Sequence, residues 1–487
     1  MKYFLVSLGC QMNLSDSERV SSVLESLGYV STEVEEEADI LGLVACSVRQ
    51  RAIDRAFGRI KKWNSWKASR NLVTFATGCV LPADWEQFAD LFDLFFQINE
   101  LPKLPDMIRQ YGVATPLSSE TFARFEPEQS ESRARPLARV DHGINRVAAP
   151  TLLLERDGSS IGISPNRATS TEFDRNFWQI RPSYQSGFDA YVPIQNGCDK
   201  FCSFCAVPFT RGREVSRPSV EVLAEVEKLI ENGYKSITLL GQNVNSYGVD
   251  SGGNEIGFAE LLRRIGEMGR DSRRKFWTYF TSPHPRDMSR EVIETIATYP
   301  HLAKQIHLPL QSGDDKVLIR MNRNYSVDRY RDVVSNIREL IPAATLFTDI
   351  IVGFPGETEE QFDRTRRAMM EFDYNMAYVA MYSPRPGARS ARWKDDIPHD
   401  EKRRRLHTLS NLLKSSARAY HAALVGSTQT VLVQGRDRDT RFLSGRTEGK
   451  IIVRFESDDE TLIGGFCDVH ITESADMSVQ GVVEAVA

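Results

Sequence analysis

Apolar residues near the N-terminus occur in short runs separated by longer amphipathic stretches. The runs are Tyr3–Leu8, Ile40–Val44 and Leu72–Ala76, and a cysteine follows each of them, namely Cys10, Cys46 and Cys79. Between the runs, Ser15 with Glu18 forms a capping-box pattern that predicts a helix ending at Gly28, and Arg49–Trp63 has the spacing of a second, basic amphipathic helix. Strands that alternate with helices predict a parallel sheet.

A second alternation of strands and helices begins at Tyr191. Its strand-like runs are Tyr191–Gln195, Ser236–Leu240, Phe276–Thr281, Gln305–Leu310, Leu346–Val352 and Ala377–Tyr382. Helical patterns lie between successive runs, for example at Val220–Glu231, Val327–Leu340 and Glu359–Phe372. Repeated βα units of this kind predict an open (β/α) barrel.

The last part of the chain changes from helical spacing to strict alternation. After a basic helical stretch at Glu401–Leu424, alternating segments occur at Thr430–Val433, Lys450–Phe455 and Cys467–Thr472, with glycine-rich turns between them. Short strands at this spacing predict a small β-barrel, in which Cys467 is expected to be a packing residue.

The chain therefore belongs to the α/β class and is expected to have three domains. We predict an N-terminal domain over 1–116, a central barrel over 188–425 and a C-terminal barrel over 426–487. The periodicity fades over 117–187, which is rich in Glu, Ser, Arg and Pro and predicts a linker with an insertion, with a hairpin possible at Thr151–Leu154.

Composition narrows the class of protein. The chain has 487 residues, 41% hydrophobic and 26% charged, which is typical of a globular protein. Its net charge of -5 gives no general basic excess, so any contact with RNA is expected to be local. No apolar run approaches the roughly 20 residues of a membrane helix. Seven cysteines in so long a chain indicate a reducing, cytoplasmic location rather than a disulfide framework.

The strongest chemical signal is the spacing of Cys198, Cys202 and Cys205 directly after the first strand of the predicted barrel. Three thiolates on one loop can bind three irons of a [4Fe–4S] cluster and leave the fourth iron open to another ligand. Zinc is the structural alternative, but it prefers four closed ligands, and no further Cys or His is adjacent. Phe201 and Phe204 could shield such a cluster from water or could be core residues.

The three N-terminal cysteines are expected at the carboxyl ends of parallel strands, where open sheets bind their ligands. They could therefore converge in space despite their wide spacing. From pattern alone, three small buried core residues are the alternative, because free cysteine is among the most buried residue types.

The motifs resemble a known superfamily. The CxxxCxxC loop after a strand resembles the radical S-adenosylmethionine (SAM) enzymes, and the upstream cysteines with the terminal barrel resemble their methylthiotransferase branch. Within that branch the chain is similar to the MiaB family of tRNA-2-methylthio-N6-dimethylallyladenosine synthases, on these segments: Gly9-Cys-Gln-Met-Asn13, Asp16-Ser-Glu18, Cys46-Ser-Val-Arg49, Tyr191-Val-Pro-Ile194, Ser282-Pro-His-Pro285 and Met321-Asn-Arg323. The sister family that modifies a ribosomal-protein aspartate usually has Pro-Lys-Asn after the first cysteine and lacks the Ser-Pro-His-Pro segment.

The resemblance implies a function and two [4Fe–4S] clusters. Cys198, Cys202 and Cys205 would hold the catalytic cluster that cleaves SAM, and Cys10, Cys46 and Cys79 would hold a second cluster that carries sulfur. One SAM molecule would generate a radical and another would donate a methyl group, so that C2 of an isopentenylated adenosine beside the anticodon gains a methylthio group. An unactivated C–H bond has no acidic proton, which is why a cofactor radical is needed.

The SAM pocket is expected at the carboxyl ends of the barrel strands. The resemblance and these strand ends together give seven candidate contacts: Gln242, Asn243, Ser282, His284, Gln311, Arg323 and Asp349. For each polar residue taken singly, capping a loop is an alternative role, and for Arg323 a surface salt bridge is one.

The C-terminal barrel resembles a TRAM domain, an OB-like fold that grips RNA. Its basic residues Arg436, Arg438, Arg441, Arg446 and Lys450 could contact phosphate, with a solvated polar face as the alternative. The expected partners are the anticodon stem-loop of tRNA and a reducing electron-donor protein. The chain is expected to be a monomer that does not bind a membrane. The rival functions are a methylthiotransferase for a ribosomal-protein aspartate or another modified adenosine, and a non-catalytic iron–sulfur protein that binds RNA.

Overall fold

The computed structural model of this chain describes residues 1–46, 50–111, 173 and 175–484. These residues form two compact units. The first unit combines residues 1–185 with residues 206–213, and the second combines residues 186–205 with residues 214 onward. The predicted linker and insertion at 117–187 lies outside the described residues up to position 172, as do the predicted hairpin at Thr151–Leu154 and the predicted helix start at Arg49.

The first unit contains a parallel sheet. Its strands are β1 (Lys2–Ser7), β2 (Val30–Ser31), β3 (Ile40–Cys46), β4 (Val73–Cys79) and β5 (Leu94–Phe95), and its helices are α1 (Gln11–Ser26), α2 (Gln50–Trp66), α3 (Trp85–Leu91), α4 (Leu104–Tyr111) and the short α5 (Val207–Thr210). The strand order is β2-β1-β3-β4-β5, and every pair is parallel, as the sequence predicts.

Both faces of this sheet are covered. One core cluster contains Val20 and Leu24 of α1 together with residues of the sheet. A second cluster contains Ala56 and Ile60 of α2 together with different residues of the sheet. Because helices cover both faces, β3 and β4 are buried along their whole length and have continuous apolar sequences.

The first helix begins earlier than the capping pattern predicts. It starts at Gln11 with Cys10 as its N-cap, so Ser15 and Glu18 lie inside it and are buried. Glu18 accepts a hydrogen bond from the backbone N–H of Gln185 rather than completing a capping box. The expected end is confirmed, because Gly28 follows the last turn with φ of 86°.

The end of the predicted linker contributes to the first unit. Phe177 and Trp178 are each 3% exposed and pack in the same core cluster as α1. Residues 206–213, which follow Cys205 in the chain, also belong to this unit.

The second unit contains the predicted barrel of parallel strands. Its strands are β6 (Asp189–Pro193), the short antiparallel pair β7 (Gln195–Asn196) and β8 (Val215–Ser216), then β9 (Ser236–Leu240), β10 (Trp277–Phe280), β11 (Gln305–His307), β12 (Thr345–Val352) and β13 (Met376–Met381). The parallel strands form two sheets, β6-β9-β10 and β11-β12-β13, and a parallel bridge from Thr278 to Leu302 continues β10 towards β11. The result is an arc of strands in chain order.

Helices follow the strands around this arc. They are α6 (Ser219–Glu231), α7 (Phe258–Ser272), α8 (Arg290–Thr298), α9 (Asp315–Arg320), α10 (Val327–Leu340), α11 (Glu359–Phe372) and α12 (His399–Leu424). The boundaries of α10 and α11 are those that the apolar spacing predicts. Within the part of the chain that the structure describes, no helix has the combination of length and apolarity that crossing a membrane requires.

The C-terminal segment is a closed β-barrel, as predicted. Its strands are β14 (Thr428–Arg436), β15 (Phe442–Thr447), β16 (Ile452–Glu456), β17 (Phe466–Ser474) and β18 (Val479–Val483), in the order β14-β15-β16-β18-β17. Cys467 is 5% exposed and packs in its core, which confirms the packing role.

The turn between β15 and β16 holds this small barrel against the beginnings of the parallel strands. The Tyr279 hydroxyl donates to the Glu448 carbonyl at 3.1 Å, and the Thr345 hydroxyl donates to the Gly449 carbonyl at 2.9 Å. Lys450 places its ammonium 4.3 Å from the centre of the Tyr279 ring. These contacts lie at the opposite ends of the strands from the predicted SAM pocket.

Candidate functional site

The three N-terminal cysteines lie at the carboxyl end of neighbouring strands, as predicted. Cys46 and Cys79 end β3 and β4 and stand opposite each other in the parallel register. Cys10 follows β1, the strand on the other side of β3. Cys46 and Cys79 are each 6% exposed, whereas Cys10 is exposed.

Asn13 connects these cysteines from the first turn of α1. Its side-chain oxygen lies 3.3 Å from the Cys10 sulfur and 3.9 Å from the Cys79 sulfur. Its amide nitrogen donates to the Ala45 carbonyl at 2.7 Å, next to Cys46. One buried side chain therefore links the surroundings of all three thiols.

A glycine precedes two of the three cysteines, and both glycines have positive φ. Gly9 has φ of 142° and Gly78 has φ of 104°. A Cβ on Gly9 would stand 2.7 Å from the Cys46 Cβ, and one on Gly78 would stand 2.5 Å from the Ala45 carbonyl oxygen. Only glycine lets the backbone make these turns in so little space.

A cation faces this cysteine site. The Arg211 Nε–H donates to the Cys79 sulfur at 2.9 Å, and the same guanidinium pairs with Asp16 of α1. Burial raises the pKa of the Cys79 thiol to about 12, while the charge of Arg211 acts in the opposite direction. The Cys79 sulfur therefore has a fixed positive partner here.

These features fit an iron–sulfur cluster. In the described residues, no group of three His, Cys, Asp or Glu side chains converges to hold a single metal ion. A cubane does not require such convergence, because each thiolate binds a different iron. The site supplies what a cluster needs from the protein, namely three sulfurs at one sheet edge, a buried hydrogen-bond donor and a cationic counter-charge.

The second cysteine set lies on the loop that follows β6 and β7. Asn322 holds this loop by donating its side-chain amide to the carbonyls of Lys200 and Phe201 at 3.2 and 3.0 Å. The Cys205 N–H donates to the Cys202 carbonyl at 3.0 Å, and Phe201 adopts a left-handed conformation with φ of 47°. Burial raises the pKa of the Cys198 thiol to about 11.

The two phenylalanines of this loop differ in environment. Phe204 packs against the core cluster that contains Val317, Phe354 and Tyr382. Phe201 is 38% exposed, so the alternative that it is a core residue is wrong, and its role in shielding a cluster stays a prediction.

Arg323, a predicted SAM contact, lies beside these cysteines. It is 6% exposed, and one of its nitrogens donates to the Cys202 sulfur at 3.4 Å. Its other donors reach the Pro309 carbonyl at 3.1 Å and the Tyr325 hydroxyl at 3.3 Å. The surface salt bridge considered for this residue is therefore wrong.

Three predicted SAM contacts gather near this loop. Gln242 accepts a hydrogen bond from the Gly197 N–H at 2.5 Å, directly before Cys198. Asn243 and His284 are 1% and 5% exposed, and the Asn243 Oδ1 and His284 Nε2 atoms are buried without a hydrogen-bond partner among the described residues. Unsatisfied polar atoms of this kind are suited to a polar ligand.

His284 is held in its neutral form. Burial, followed by the nearby charge of Arg323, lowers the pKa of His284 to about 2. Its Nδ1 accepts from the Arg286 N–H at 3.3 Å, so the neutral ring carries its proton on Nε2. The partnerless atom is therefore a hydrogen-bond donor.

Two further polar contacts lie in this region and were not predicted from the sequence, namely an ion pair of Lys200 and a hydrogen bond of Glu214. Lys200, inside the cysteine loop, pairs with Asp287 at 2.5 Å, and Asp287 also accepts from Asn243 at 3.2 Å. Glu214 accepts from the Ser246 hydroxyl at 2.5 Å, and burial raises the pKa of this carboxyl to about 7. Lys200 could have been predicted to lie at this site because it stands between Cys198 and Cys202 in the sequence. Asp287 and Glu214 belong to other segments of the chain, and no local pattern indicates them.

The remaining predicted contacts lie elsewhere on the strands. Ser282 and Gln311 follow β10 and β11 with φ of 56° and 70°, conformations that are costly for residues other than glycine and that cluster at functional sites. Asp349 lies within β12 rather than after it, and its Oδ2 is 2.7 Å from the Nε2 of His307. Among the residues that the structure describes, no hydrogen bond or ion pair joins these three residues to Gln242, Asn243 or His284.

Three of the five candidate basic residues of the C-terminal barrel have partners within the chain. Arg436 pairs with Glu460 at 2.8 Å, Arg441 pairs with Asp439 at 2.7 Å, and Lys450 covers the Tyr279 ring. Arg438 and Arg446 are exposed. Arg441 is exposed as well, with 70% of its side chain accessible in its pair with Asp439, so contact of this basic patch with RNA stays a prediction.

Family models match three parts of the chain. The Radical SAM superfamily matches residues 192–369, the uncharacterized protein family UPF0004 matches residues 2–96, and the TRAM domain matches residues 422–483. Among solved structures, the fold is similar to the radical S-adenosylmethionine methyltransferase TsrM from Kitasatospora setae with tryptophan and a SAM analogue bound. That similarity has a TM-score of 0.51 and 14% identity, and it covers 78% of this chain and 72% of the other.

Relatives match over the full length of the chain. The tRNA-2-methylthio-N(6)-dimethylallyladenosine synthase of Dictyoglomus thermophilum is 37% identical over 99% of this chain and 98% of its own. The protein of the same name from Francisella tularensis subsp. novicida is 36% identical over the same shares. With two cysteine sites, a barrel of parallel strands and a TRAM barrel, the chain belongs to the tRNA-2-methylthio-N6-dimethylallyladenosine synthase family of radical SAM methylthiotransferases.

Proposed function

We propose that this chain adds a methylthio group to C2 of N6-dimethylallyladenosine in tRNA, with one [4Fe–4S] cluster at each set of three cysteines and two molecules of SAM. The observation that carries the proposal is the pair of separate cysteine sites, each with a buried arginine N–H directed at one sulfur. A protein that only transfers electrons has no need of buried polar atoms without partners, such as Asn243 Oδ1 and His284 Nε2, beside one of its clusters.

When bound, a reduced cluster at Cys198, Cys202 and Cys205 supplies the electron that cleaves SAM. The residues around it bind and orient. Asn243 Oδ1 offers a buried acceptor and the neutral His284 offers a buried donor, a combination that can hold a molecule with both an ammonium and a carboxylate group. Arg323 adds a cation that a carboxylate can share with the Cys202 sulfur.

We assign the nucleobase to the inner face of the strand arc. In the second half of β12 the half-exposed Asp349 and Ile351 alternate with the buried Ile350 and Val352, and in β13 Tyr378 and Ala380 are exposed. Tyr378 is 54% exposed on this open face, and its ring centre lies 5.7 Å from that of His307. An exposed aromatic ring there can stack against an unpaired base, as single-stranded RNA recognition commonly requires.

The remaining assignments complete the proposal. The C-terminal barrel contacts the anticodon stem-loop through Arg438 and Arg446, and the chain works in the cytoplasm as a monomer that receives electrons from a reducing protein. We retain 1–116, 188–425 and 426–487 as the domain boundaries. Light scattering of the anaerobic protein, alone and with an anticodon stem-loop, tests the oligomeric state and the partner.

The central experiment uses anaerobically reconstituted protein. We expect about eight irons per chain, 5′-deoxyadenosine formation after reduction with SAM, and 2-methylthio-N6-dimethylallyladenosine in mass spectra of nucleosides from dimethylallylated tRNA. The Cys198→Ala chain should lose both products. The Cys10→Ala chain should keep 5′-deoxyadenosine formation and lose the methylthio product, and Cys467→Ala is the matched control that should keep both. Modification of ribosomal protein instead of tRNA, or zinc in place of iron, would contradict the proposal.

A further inference from the structure

A buried arginine at the N-terminal cysteine site has no assigned role in the proposed reaction. Arg211 comes from residues 206–213, which are part of the first unit although they follow the second cysteine set in the chain. Its side chain is 2% exposed and that of its partner Asp16 is 1% exposed. Burying two charges is costly, so a pair retained here calls for an explanation beyond stability.

The way the guanidinium divides its donors suggests that explanation. An arginine whose only task is to hold Asp16 would direct a bidentate pair of N–H groups at the carboxylate. Here a terminal nitrogen faces Asp16, while Nε donates to the Cys79 sulfur at 2.9 Å. The arginine therefore contacts a proposed cluster ligand directly, and the carboxylate offsets its charge.

Hydrogen bonds to cysteine sulfur and nearby net charge are both known controls of cluster potential. Adding an electron makes the cluster and its thiolates more negative, so an N–H directed at sulfur stabilises the reduced state. A carboxylate close to the same sulfur has the opposite effect. No proton and no other reactant is required, because only the ratio of reduced to oxidised cluster changes.

We infer that Arg211 and Asp16 form an opposed pair that sets the reduction potential of the cluster held by Cys10, Cys46 and Cys79. Arg211 raises the potential through its N–H and charge, and Asp16 limits that rise. Both act as positioning residues through the Cys79 sulfur. The inference rests on the proposed cluster at this site, but it concerns a potential that can be measured without methylthio transfer.

The test is a potentiometric titration followed by electron paramagnetic resonance. The full-length chain carries Cys198→Ala, Cys202→Ala and Cys205→Ala, so that only the N-terminal cluster contributes to the signal. We expect Arg211→Gln to lower the reduced-to-oxidised ratio at a fixed potential about tenfold or more, which is a shift of about 59 mV for one electron. Asp16→Asn should shift the potential in the opposite direction, and the double variant should lie between the two.

Arg217→Gln is the matched control. Arg217 is also buried, at 5% exposure, and pairs with Glu225 at 2.6 Å in the second unit. Its loss should change the ratio less than about twofold, because its side chain donates to the Glu221 and Glu225 carboxylates of the second unit. This separates a local electrostatic effect from the general damage of removing a buried arginine.

The outcomes distinguish this inference from the function. If Arg211→Gln and Asp16→Asn leave the potential unchanged, or shift it in the same direction, the inference is overturned while the proposed reaction can still stand. If Arg211→Gln does not retain iron, Asp16→Asn alone decides, because it keeps the arginine and must raise the potential. A parent chain with no reducible cluster would overturn the proposed function itself.

Discussion

The buried pair of Arg405 and Glu357 gives the sharpest stability prediction. Arg405 of α12 donates to a Glu357 carboxylate oxygen at 2.8 Å and to the Glu357 carbonyl at 3.1 Å. The same carboxylate oxygen accepts the Gly353 N–H at 2.7 Å. The exposed fractions of the side chains are 5% for Arg405 and 0% for Glu357. One long helix thereby holds the loop that follows β12.

Arg405→Met removes the cation and keeps most of the apolar volume. Breaking a buried pair by removing one partner costs about 3–5 kcal/mol, because the other charge remains buried. Glu357→Gln in the Arg405→Met chain should recover at least about 1 kcal/mol, since an amide is cheaper to bury than a carboxylate. Arg404→Met is the control: Arg404 is 48% exposed in its pairs with Glu401 and Glu359, so its loss should cost less than about 1 kcal/mol.

The penalty should also depend on pH. Burial already raises the pKa of Glu357, and losing Arg405 raises it further. A carboxyl group with a raised pKa in the folded state stabilises the fold at low pH, and this contribution is lost as pH rises through the folded pKa. The Arg405→Met penalty should therefore be larger at pH 8 than at pH 5.

Hydrogen exchange followed by mass spectrometry measures this effect in the right place. Peptides covering β12 and residues 353–357 report the local opening free energy without assuming that a chain of several domains unfolds in one step. The reasoning is refuted if Arg405→Met changes that free energy by less than about 1 kcal/mol, or if the double variant is no more stable than Arg405→Met.

Three further predictions follow from single side chains. Gly78→Ala should lower the iron bound at the N-terminal site, because the new Cβ would stand 2.5 Å from the Ala45 carbonyl, whereas Gly58→Ala has open space and should not; iron analysis decides. Tyr378→Ala should lower tRNA modification at least about tenfold by nucleoside mass spectrometry, since base stacking contributes about 1–3 kcal/mol, while melting temperature and 5′-deoxyadenosine formation without tRNA stay the same. Burial lowers the pKa of Lys450 to about 8, so the folded chain binds fewer protons than the unfolded chain between that value and pH 10.5. The melting temperature of the parent relative to Lys450→Met should therefore rise over that range, and a flat difference would contradict the assignment.

The fold could be predicted from sequence where local pattern and tertiary packing agree. Helices α10 and α11 have the predicted bounds because Ser326 and Thr358 cap them and their buried residues recur at helical spacing. Helix α1 differs because Cys10, without a capping side chain, begins it after the turn at Gly9. Burial of Ser15 and Glu18 overrides the local capping preference, and no local pattern could have revealed that.

The positions of the cysteines could be predicted from the sequence, whereas the charged residues around them could be predicted only in part. The cysteines follow apolar strands, so their place at the strand ends could be read from the sequence. The positions of Asn243 and His284 could be read in the same way, because they too follow strands, and their contact with SAM stays a prediction. Lys200 was visible inside the cysteine loop, but its pairing with Asp287 depends on how β10 is placed beside β9.

The contacts of Arg211 and Arg323 with cysteine sulfurs could not be predicted from the sequence either, because they also join residues that are far apart in the chain. Arg211 is separated from Cys79 by 132 positions, and Arg323 from Cys202 by 121, so neither contact belongs to a local motif. Physical chemistry still requires such partners, because a buried thiolate without a donor or a counter-charge is costly. Lysine in place of Arg323 could not make the same hydrogen bonds. The planar guanidinium with its several fixed donors matches three acceptors, which are the Cys202 sulfur, the Pro309 carbonyl and the Tyr325 hydroxyl. A sequence that predicts thiolate ligands at the edge of a fold thus also leads us to expect donors or cations beside them, and only the fold identifies those residues.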